Sequence, residues 1–400
     1  MQRKLRVGII GGGIGGLALA ASLAQSGIEA RIFERAPHFA TVGAGIQMTP
    51  NAVKVIRALG MWNALREVSF LPEALVGRNW RTAREMFRTP LRDECPRLYG
   101  AEFFHVHRAD LHRILISLVP AAAVTFGRQC VAVRQDAGAA AAVFDDGSSF
   151  EADVIVGADG IHSTVRADLF GAQPAKFTGH MCWRAVVPFD SAPSFVSPDA
   201  SFWLGPNGHV VTYFVSGGKA VNVVAVLETT GWVEESWNVP SSREELMAGY
   251  PGWHTNLQQL FARAERVFKW GLFDRDPMAA WSQGRVTLLG DAAHPMLPFL
   301  SQGAAMAIED GYVLAACLAG AADPAAALQE YERLRLPRTS RVQLESRERG
   351  RTYHLASPLA QLRRDVEYRL RSLINPQKGG IKANWVYAYD ATAVPLERAA

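Results

Sequence analysis

Short apolar runs along this chain alternate with longer amphipathic stretches, and glycine clusters punctuate the boundaries. Arg6–Ile10 is one such run and leads at once into Gly11-Gly12-Gly13-Ile14-Gly15-Gly16. Residues 17–25 are helix formers stopped by Gly27, and 30–34 is a second apolar run. Strand, glycine turn, helix and strand in that order predict an opening βαβ unit. Further on, the periodicity predicts helices over 51–68 and 108–118. A hairpin is expected over 143–150, turning at Asp145-Asp146-Gly147. A buried strand over 152–156 then runs into Gly157-Ala158-Asp159-Gly160.

From about Phe177 the texture changes to short alternating runs rich in aromatic residues. Strands are expected over 181–188, 200–204, 209–215 and 221–228, with turns at Pro206-Asn207-Gly208 and Ser216-Gly217-Gly218. The nucleotide-binding texture returns with a strand over 286–289 ending in Gly290-Asp291, then a helix over 304–318. Residues 328–370 read as helical and charged. The fold class expected is α/β (α+β): a Rossmann-like domain, a smaller antiparallel-sheet domain and C-terminal helices. The expected division assigns 1–75, 100–176 and 273–350 to a discontinuous dinucleotide-binding domain, and 76–99 with 177–272 to the sheet domain. Residues 351–400 form the C-terminal helical segment.

Composition narrows the class. Apolar residues are 49% of the 400 and charged residues 20%, as in an ordinary globular enzyme. A net charge of +4, from 42 basic and 38 acidic residues, argues against nucleic-acid binding. Cys95, Cys130, Cys182 and Cys317 form no CxxC pair and read as reduced thiols of a cytoplasmic protein. The basic start and apolar stretch 7–24 superficially resemble a secretory signal, but five glycines in six positions make a poor signal helix. No later run reaches the length of a membrane span, so no membrane association is expected. His105, His107, His162, His180 and His294 show no metal-ligand spacing along the chain, and no metal is expected.

The first chemical motif is Gly11-x-Gly13-x-x-Gly16 with Glu34 placed 18 residues later. Such glycines let the backbone turn sharply and approach a diphosphate at the positive end of a helix, which here begins near Gly15. Ile14 and Arg35 belong to the same turn and strand end, and Glu34 stands where a carboxylate meets an adenosine ribose. This fingerprint alone leaves NAD and FAD open.

Two later segments separate them. Asp153-Val154-Ile155-Val156-Gly157-Ala158-Asp159-Gly160, with Ser163 and Arg166, resembles the "DG" motif of flavoprotein hydroxylases. Gly290-Asp291-Ala292-Ala293-His294-Pro295, with Pro298 and Gln302-Gly303, resembles their "GD" motif. With the N-terminal fingerprint, these mark a resemblance over nearly the whole chain to the FAD-dependent aromatic hydroxylases built like p-hydroxybenzoate hydroxylase. The pattern is nearest to salicylate hydroxylase, 3-hydroxybenzoate 6-hydroxylase and 6-hydroxynicotinate 3-monooxygenase, and the tail Asn384-Trp385-Val386-Tyr387-Ala388-Tyr389-Asp390 resembles their C-termini.

The resemblance implies FAD as cofactor, NADH or NADPH as transient reductant, and O2 as co-substrate through a flavin hydroperoxide. It implies a monomer or homodimer acting on a small hydroxylated, carboxylated aromatic, with or without decarboxylation. Asp291 is expected on the ribityl or ribose hydroxyls, and Arg108 matches the family's flavin-contacting arginine. Pro298, Gly303, Ala304 and Ala305 open a helix whose amide end faces the flavin pyrimidine ring. This chain lacks the asparagine that many members carry two residues after that glycine, and Gln47 stands where the hydroxynicotinate enzyme has histidine. His209 and Tyr213 share one strand face, about 13 Å apart on a straight strand. The family's His-x3-Tyr spacing implies that both face the substrate hydroxyl, His209 as base, with Gln302 on the substrate side. Rival readings are a flavin reductase, a Baeyer–Villiger or epoxidising enzyme, and a non-catalytic flavin-binding module.

Overall fold

The computed structural model describes residues 5–39, 44–231, 239–375 and 384–395. Arg6–Ile10 is the centre of a six-stranded sheet because its four residues from Val7 onward are buried from both faces. The strand order is Ser282–Gln283, Val286–Leu288, Val154–Gly157, Arg6–Ile10, Glu29–Glu34 and Val124–Phe126. All pairings are parallel except the outermost, Ser282–Gln283 on Val286–Leu288. Parallel strands of this kind need helical crossovers, and Ile14–Gln25 supplies the first. The expected hairpin is present, with Ala140–Phe144 and Ser149–Ala152 paired in a separate three-stranded sheet.

Helix Ile14–Gln25 packs against the buried helix Gly303–Gly320. A Cβ on Gly311 would lie 2.7 Å from Leu19 N, so the two backbones touch where they cross. Contrary to the expectation from the sequence, Gly303–Gly320 is long and apolar enough, by length and composition, to cross a bilayer. Its surroundings are protein, however: Glu309 and Asp310 at its middle are fully buried and paired with Arg335 and Arg338.

The aromatic region forms an eight-stranded sheet. Its order is Val239–Ser241, Arg266–Asp274, Lys176–Pro188, Ala220–Glu228, Gly208–Val215, Ala200–Gly205, Ala74–Asn79 and Glu85–Pro90. Strand alternation sorts its residues between two cores. Trp183, Trp203, Val210, Phe214 and Trp253 pack on the outer face beneath helices Arg243–Ala248 and Thr255–Phe261. Cys182, Val211, Tyr213, Val224 and Trp270 belong to the core shared with the six-stranded sheet. Trp203 therefore lines no substrate pocket on the His209 face; it borders a small outer cavity of about 170 Å³ with Arg78 and Asp199. Trp232 and Trp237, which the sequence suggests as further core aromatics of this domain, lie outside the described residues.

Two expected helices are each divided. The first becomes Pro50–Ala58 and Trp62–Val68, separated at Gly60, whose φ of 76° ends the turn. The second becomes Pro324–Tyr353 and Pro358–Ile374, because Ser357 caps a new helix and Pro358 fits only its first turn. Leu359, Leu362, Val366, Leu370 and Leu373 leave an exposed apolar stripe along the latter.

Candidate active site

Three motifs separated by nearly 300 residues meet at the carboxyl ends of the parallel strands. Gly11 adopts φ of 107°, and a Cβ there would lie 2.4 Å from Ala158 O, so the first turn rests on the Asp159 turn. A Cβ on Gly15 would lie 2.5 Å from Leu289 and 3.2 Å from Ala307. That contact seats the first helix against both the Gly290-Asp291 turn and the helix beginning at Gly303. Gly303 in turn lies beside Asp291, a Cβ there standing 3.9 Å from Oδ1. Gly13 is different: nothing comes within 4 Å of the place its Cβ would occupy. A turn held by its neighbours on one side and open at Gly13 is the cradle a diphosphate needs.

Electrostatics describe a groove in the same place. Asp291 and Arg108 are exposed to solvent, yet burial by surrounding protein raises the Asp291 carboxyl and lowers Arg108. Solvent contact together with desolvation is what the wall of a deep groove produces. Arg108 stands at the start of helix Arg108–Ser117, within electrostatic reach of Asp291 and Arg184. Glu34 accepts hydrogen bonds from Gly12 N at 2.8 Å and Ala36 N at 2.9 Å, which fixes the turn. Arg35 is exposed at the strand end beside it. Asp159 accepts from Thr164 N at 2.8 Å through one oxygen.

Several buried polar atoms along this groove have no protein partner among the described residues. They include Asp159 Oδ1, Gln47 Nε2, Arg184 Nε, Asn222 Nδ2 and both ring nitrogens of His105. A protein interior seldom leaves such groups unpaired, so this concentration marks where a polar ligand belongs. The residues fit FAD: an open glycine turn, two carboxylates and a helix amino end form one continuous lining.

Across the groove, His209 and Tyr213 lie on the same face of strand Gly208–Val215, both buried. They stand in different settings. The His209 ring stacks on His354 with centroids 4.9 Å apart, and Nδ1 is 2.7 Å from His354 Nε2. Phe299 and Tyr353 close around it. Burial and the neighbouring His180 lower the His209 pKa to about 3, so the ring is neutral. Tyr213 packs on His105, with centroids 4.5 Å apart, and burial raises its hydroxyl pKa against the opposing pull of Arg184. Gln302 is also buried, with both ends of its amide engaged: Nε2 donates to Thr49 Oγ1 at 3.0 Å, and Oε1 accepts from Asn51 at 3.1 Å.

Known proteins resemble this chain over nearly its whole length. The FAD binding domain family matches residues 4–346. The 3-amino-4-hydroxybenzoate 2-monooxygenase PtnB3 of Streptomyces platensis is 44% identical over 391 residues, spanning 97% of each chain. The chain belongs to the FAD-dependent aromatic monooxygenases. The 6-hydroxynicotinate 3-monooxygenase of Bordetella bronchiseptica is 37% identical to this monooxygenase, across 99% of its length and 98% of the relative's. Among solved structures, a salicylate hydroxylase substrate complex superposes with a TM-score of 0.83 at 29% identity, covering 98% and 97% of the two chains. Klebsiella pneumoniae HpxO complexed with FAD and uric acid gives 0.84 at 28% identity, covering 94% and 96%.

In this monooxygenase the sequence-predicted glycines, Asp159, Asp291, Arg108 and Gly303 converge as a set. Gln302 is drawn into the Thr49–Asn51 network, where it orders the start of the helix containing Ala304 and Ala305. Pro298 opens the short turn Pro298–Leu300 before it, and Ser301 follows with φ of 55°. Sequence reading missed Arg184, His105, Asn222 and His354. Arg184 lies over the Trp270 ring, 4.7 Å from its centroid. Arg184, Asn222 and His105 sit in strands whose inward positions read simply as core, and no local spacing links them. His354 ends a charged helix, 145 residues from His209, whose ring it touches.

Proposed function

We propose that this monooxygenase hydroxylates a small aromatic acid bearing a ring hydroxyl, using O2 and NADH or NADPH. The supporting observation is the set of buried polar atoms on Arg184, Asn222 and His105 that lack a partner among the described residues, the first two on the sheet face that carries Tyr213 and His209 and the third packed against Tyr213. A phenolic acid supplies what these groups lack: an anion for the half-buried Arg184 guanidinium, and a hydroxyl for imidazole and phenol.

Gly11, Gly13 and Gly16 would take the FAD diphosphate, with Ile14 and Gly15 shaping the turn. Glu34, Arg35 and Asp159 would meet the adenosine half, and Asp291 the ribityl hydroxyls. The amides from Gly303 to Ala305, with Arg108 and Gln47, would face the ring system. Bound there, FAD supplies electron transfer from the nicotinamide and activation of oxygen. The chain's own residues do the rest. The eight-stranded sheet and the helix amino end enclose the substrate ring and exclude water. His209, neutral and with Nδ1 engaged, offers Nε2 to take the hydroxyl proton, raising the ring's electron density. Tyr213 donates a hydrogen bond to the resulting oxyanion. Arg184 holds the carboxylate, which sets the carbon presented for attack.

The named relatives act on an aminohydroxybenzoate and a hydroxynicotinate, both hydroxylated aromatic acids. A screen tests the reading: 3-amino-4-hydroxybenzoate, 6-hydroxynicotinate, 3-hydroxybenzoate and salicylate are offered with each nicotinamide, and products are weighed. A product heavier by one oxygen is expected from at least one acid. Nicotinamide oxidation that no acid stimulates, with every acid recovered unchanged, overturns it.

A further inference from the structure

The proposed base cannot keep the proton it removes. A ring whose pKa burial has driven to about 3 makes an unstable imidazolium, so the proton must leave for water by some route. His354 lies on that route. Its Nε2 is 2.7 Å from His209 Nδ1, and its Nδ1 is 3.8 Å from Glu228 Oε1. The Glu228 side chain is 46% exposed, whereas that of His354 is 1% exposed. A path from buried strand to solvent therefore crosses only two side chains.

Other groups around the path set its direction. His180, on strand Lys176–Pro188, has Nδ1 3.0 Å from Thr178 Oγ1, and that hydroxyl donates its own proton to Leu272 O at 2.8 Å. Thr178 must then accept from His180 Nδ1–H, which leaves His180 Nε2 as a lone pair 4.0 Å from Glu228 Oε1. Arg364, from helix Pro358–Ile374, adds positive charge near His354, and Phe299 and Tyr353 wall the rings without titrating in the working range. The Glu228 carboxylate favours a proton on His354 Nδ1. His354 Nε2 is then an acceptor, His209 Nδ1 carries hydrogen, and His209 Nε2 is left free as base. His180, Glu228 and His354 gather ligand-type atoms within 4.8 Å of one another. The two separations of 3.8 and 4.0 Å exceed the edge of about 3.4 Å that tetrahedral zinc imposes, so the three groups are not set as a zinc site.

We propose that His354 is a positioning residue that fixes the His209 tautomer and, with Glu228, relays the substrate hydroxyl proton to solvent. This rests on the reading of His209 as the substrate base. In the step, the substrate O–H bond breaks and a proton joins His209 Nε2. The proton on His209 Nδ1 passes to His354 Nε2; that on His354 Nδ1 passes to the Glu228 carboxylate when the half-exposed Glu228 side chain turns to close the 3.8 Å gap, and thence to water. No imidazolium persists and no electrons change hands. After hydroxylation the same transfers run in reverse, reprotonating the product oxygen and restoring both tautomers.

The test follows phenolate formation when oxidised holoenzyme is mixed with 3-amino-4-hydroxybenzoate, without nicotinamide, by stopped-flow absorbance. Glu228→Gln removes the exit at a half-exposed position, and His354→Gln keeps an acceptor for His209 Nδ1 but cannot pass the proton on. Both variants are expected to slow phenolate formation at least ~10-fold, and rising imidazole concentration should restore much of the Glu228→Gln rate. Wild-type rates in both variants, or slowed rates indifferent to imidazole, overturn the relay. If the wild-type holoenzyme forms no phenolate with this acid or with 6-hydroxynicotinate, the substrate reading fails first and the relay falls with it.

Discussion

Asp310 Oδ1 accepts a hydrogen bond from Arg335 Nε at 2.8 Å with both side chains wholly buried. The other carboxylate oxygen is 2.6 Å from His294 Nε2 and accepts from Gly290 N at 3.2 Å. One carboxylate thus ties the long C-terminal helix to the turn that presents Asp291. Glu309 beside it pairs with Arg335 and Arg338, and Arg338 also donates to Val386 O at 3.0 Å. Removing Arg335 leaves Glu309 and Asp310 buried side by side with one cation fewer to offset their charge. Arg335→Met is therefore expected to destabilise the fold by ~3–5 kcal/mol and to lower FAD retention. Urea midpoints and the flavin-to-protein absorbance ratio check this, and an unchanged midpoint counts against it.

Two glycines of the same turn should fail differently. A Cβ on Gly16 would lie 2.1 Å from Gly11 O, so Gly16→Ala must move backbone and should impair folding. Gly13 has φ of −72° and open space ahead of it. Gly13→Ala should fold with normal stability yet hold FAD at least ~10-fold more weakly, because the methyl enters the diphosphate cradle. Circular dichroism and flavin titration separate the two outcomes. Normal FAD affinity in Gly13→Ala would place the diphosphate elsewhere.

Replacing His209, the proposed base, should separate catalysis from cofactor binding. His209→Asn is expected to reduce hydroxylation by ~10²–10⁴-fold while flavin content stays at the wild-type level. Tyr213→Phe should reduce it less, since it removes one hydrogen bond to the oxyanion and not the proton acceptor. Parallel loss of flavin and turnover in His209→Asn would show that the ring supports the fold instead.

Acid sensitivity should begin near pH 6.5. Burial lowers His105 and His209 to about 3 and lowers His354 as well. Below the unfolded value the denatured chain binds protons that the native rings refuse, so stability falls as pH drops. The loss continues until the folded values are reached, at a slope of up to ~1.4 kcal/mol per pH unit for each histidine. Urea titrations between pH 7 and 4.5 measure the slope, and His105→Asn should make it shallower. An equal slope in that variant would assign the acid sensitivity to other groups.

The sequence by itself determined the motif-bearing turns with the strands and helices that flank them, and the cofactor. Arg6–Ile10, the glycines after it and the later Asp159 and Asp291 turns are local signals, since a strand end, a tight turn and a helix start each depend on neighbouring residues. Tertiary structure alone decided which side chains meet across the groove. Gln302, read as facing substrate, has its amide taken up by Thr49 and Asn51. His354 reaches His209 only because a proline-started helix ends beside a sheet strand. Such contacts join residues 145 to 253 positions apart, and their strength depends on burial, which no local pattern encodes.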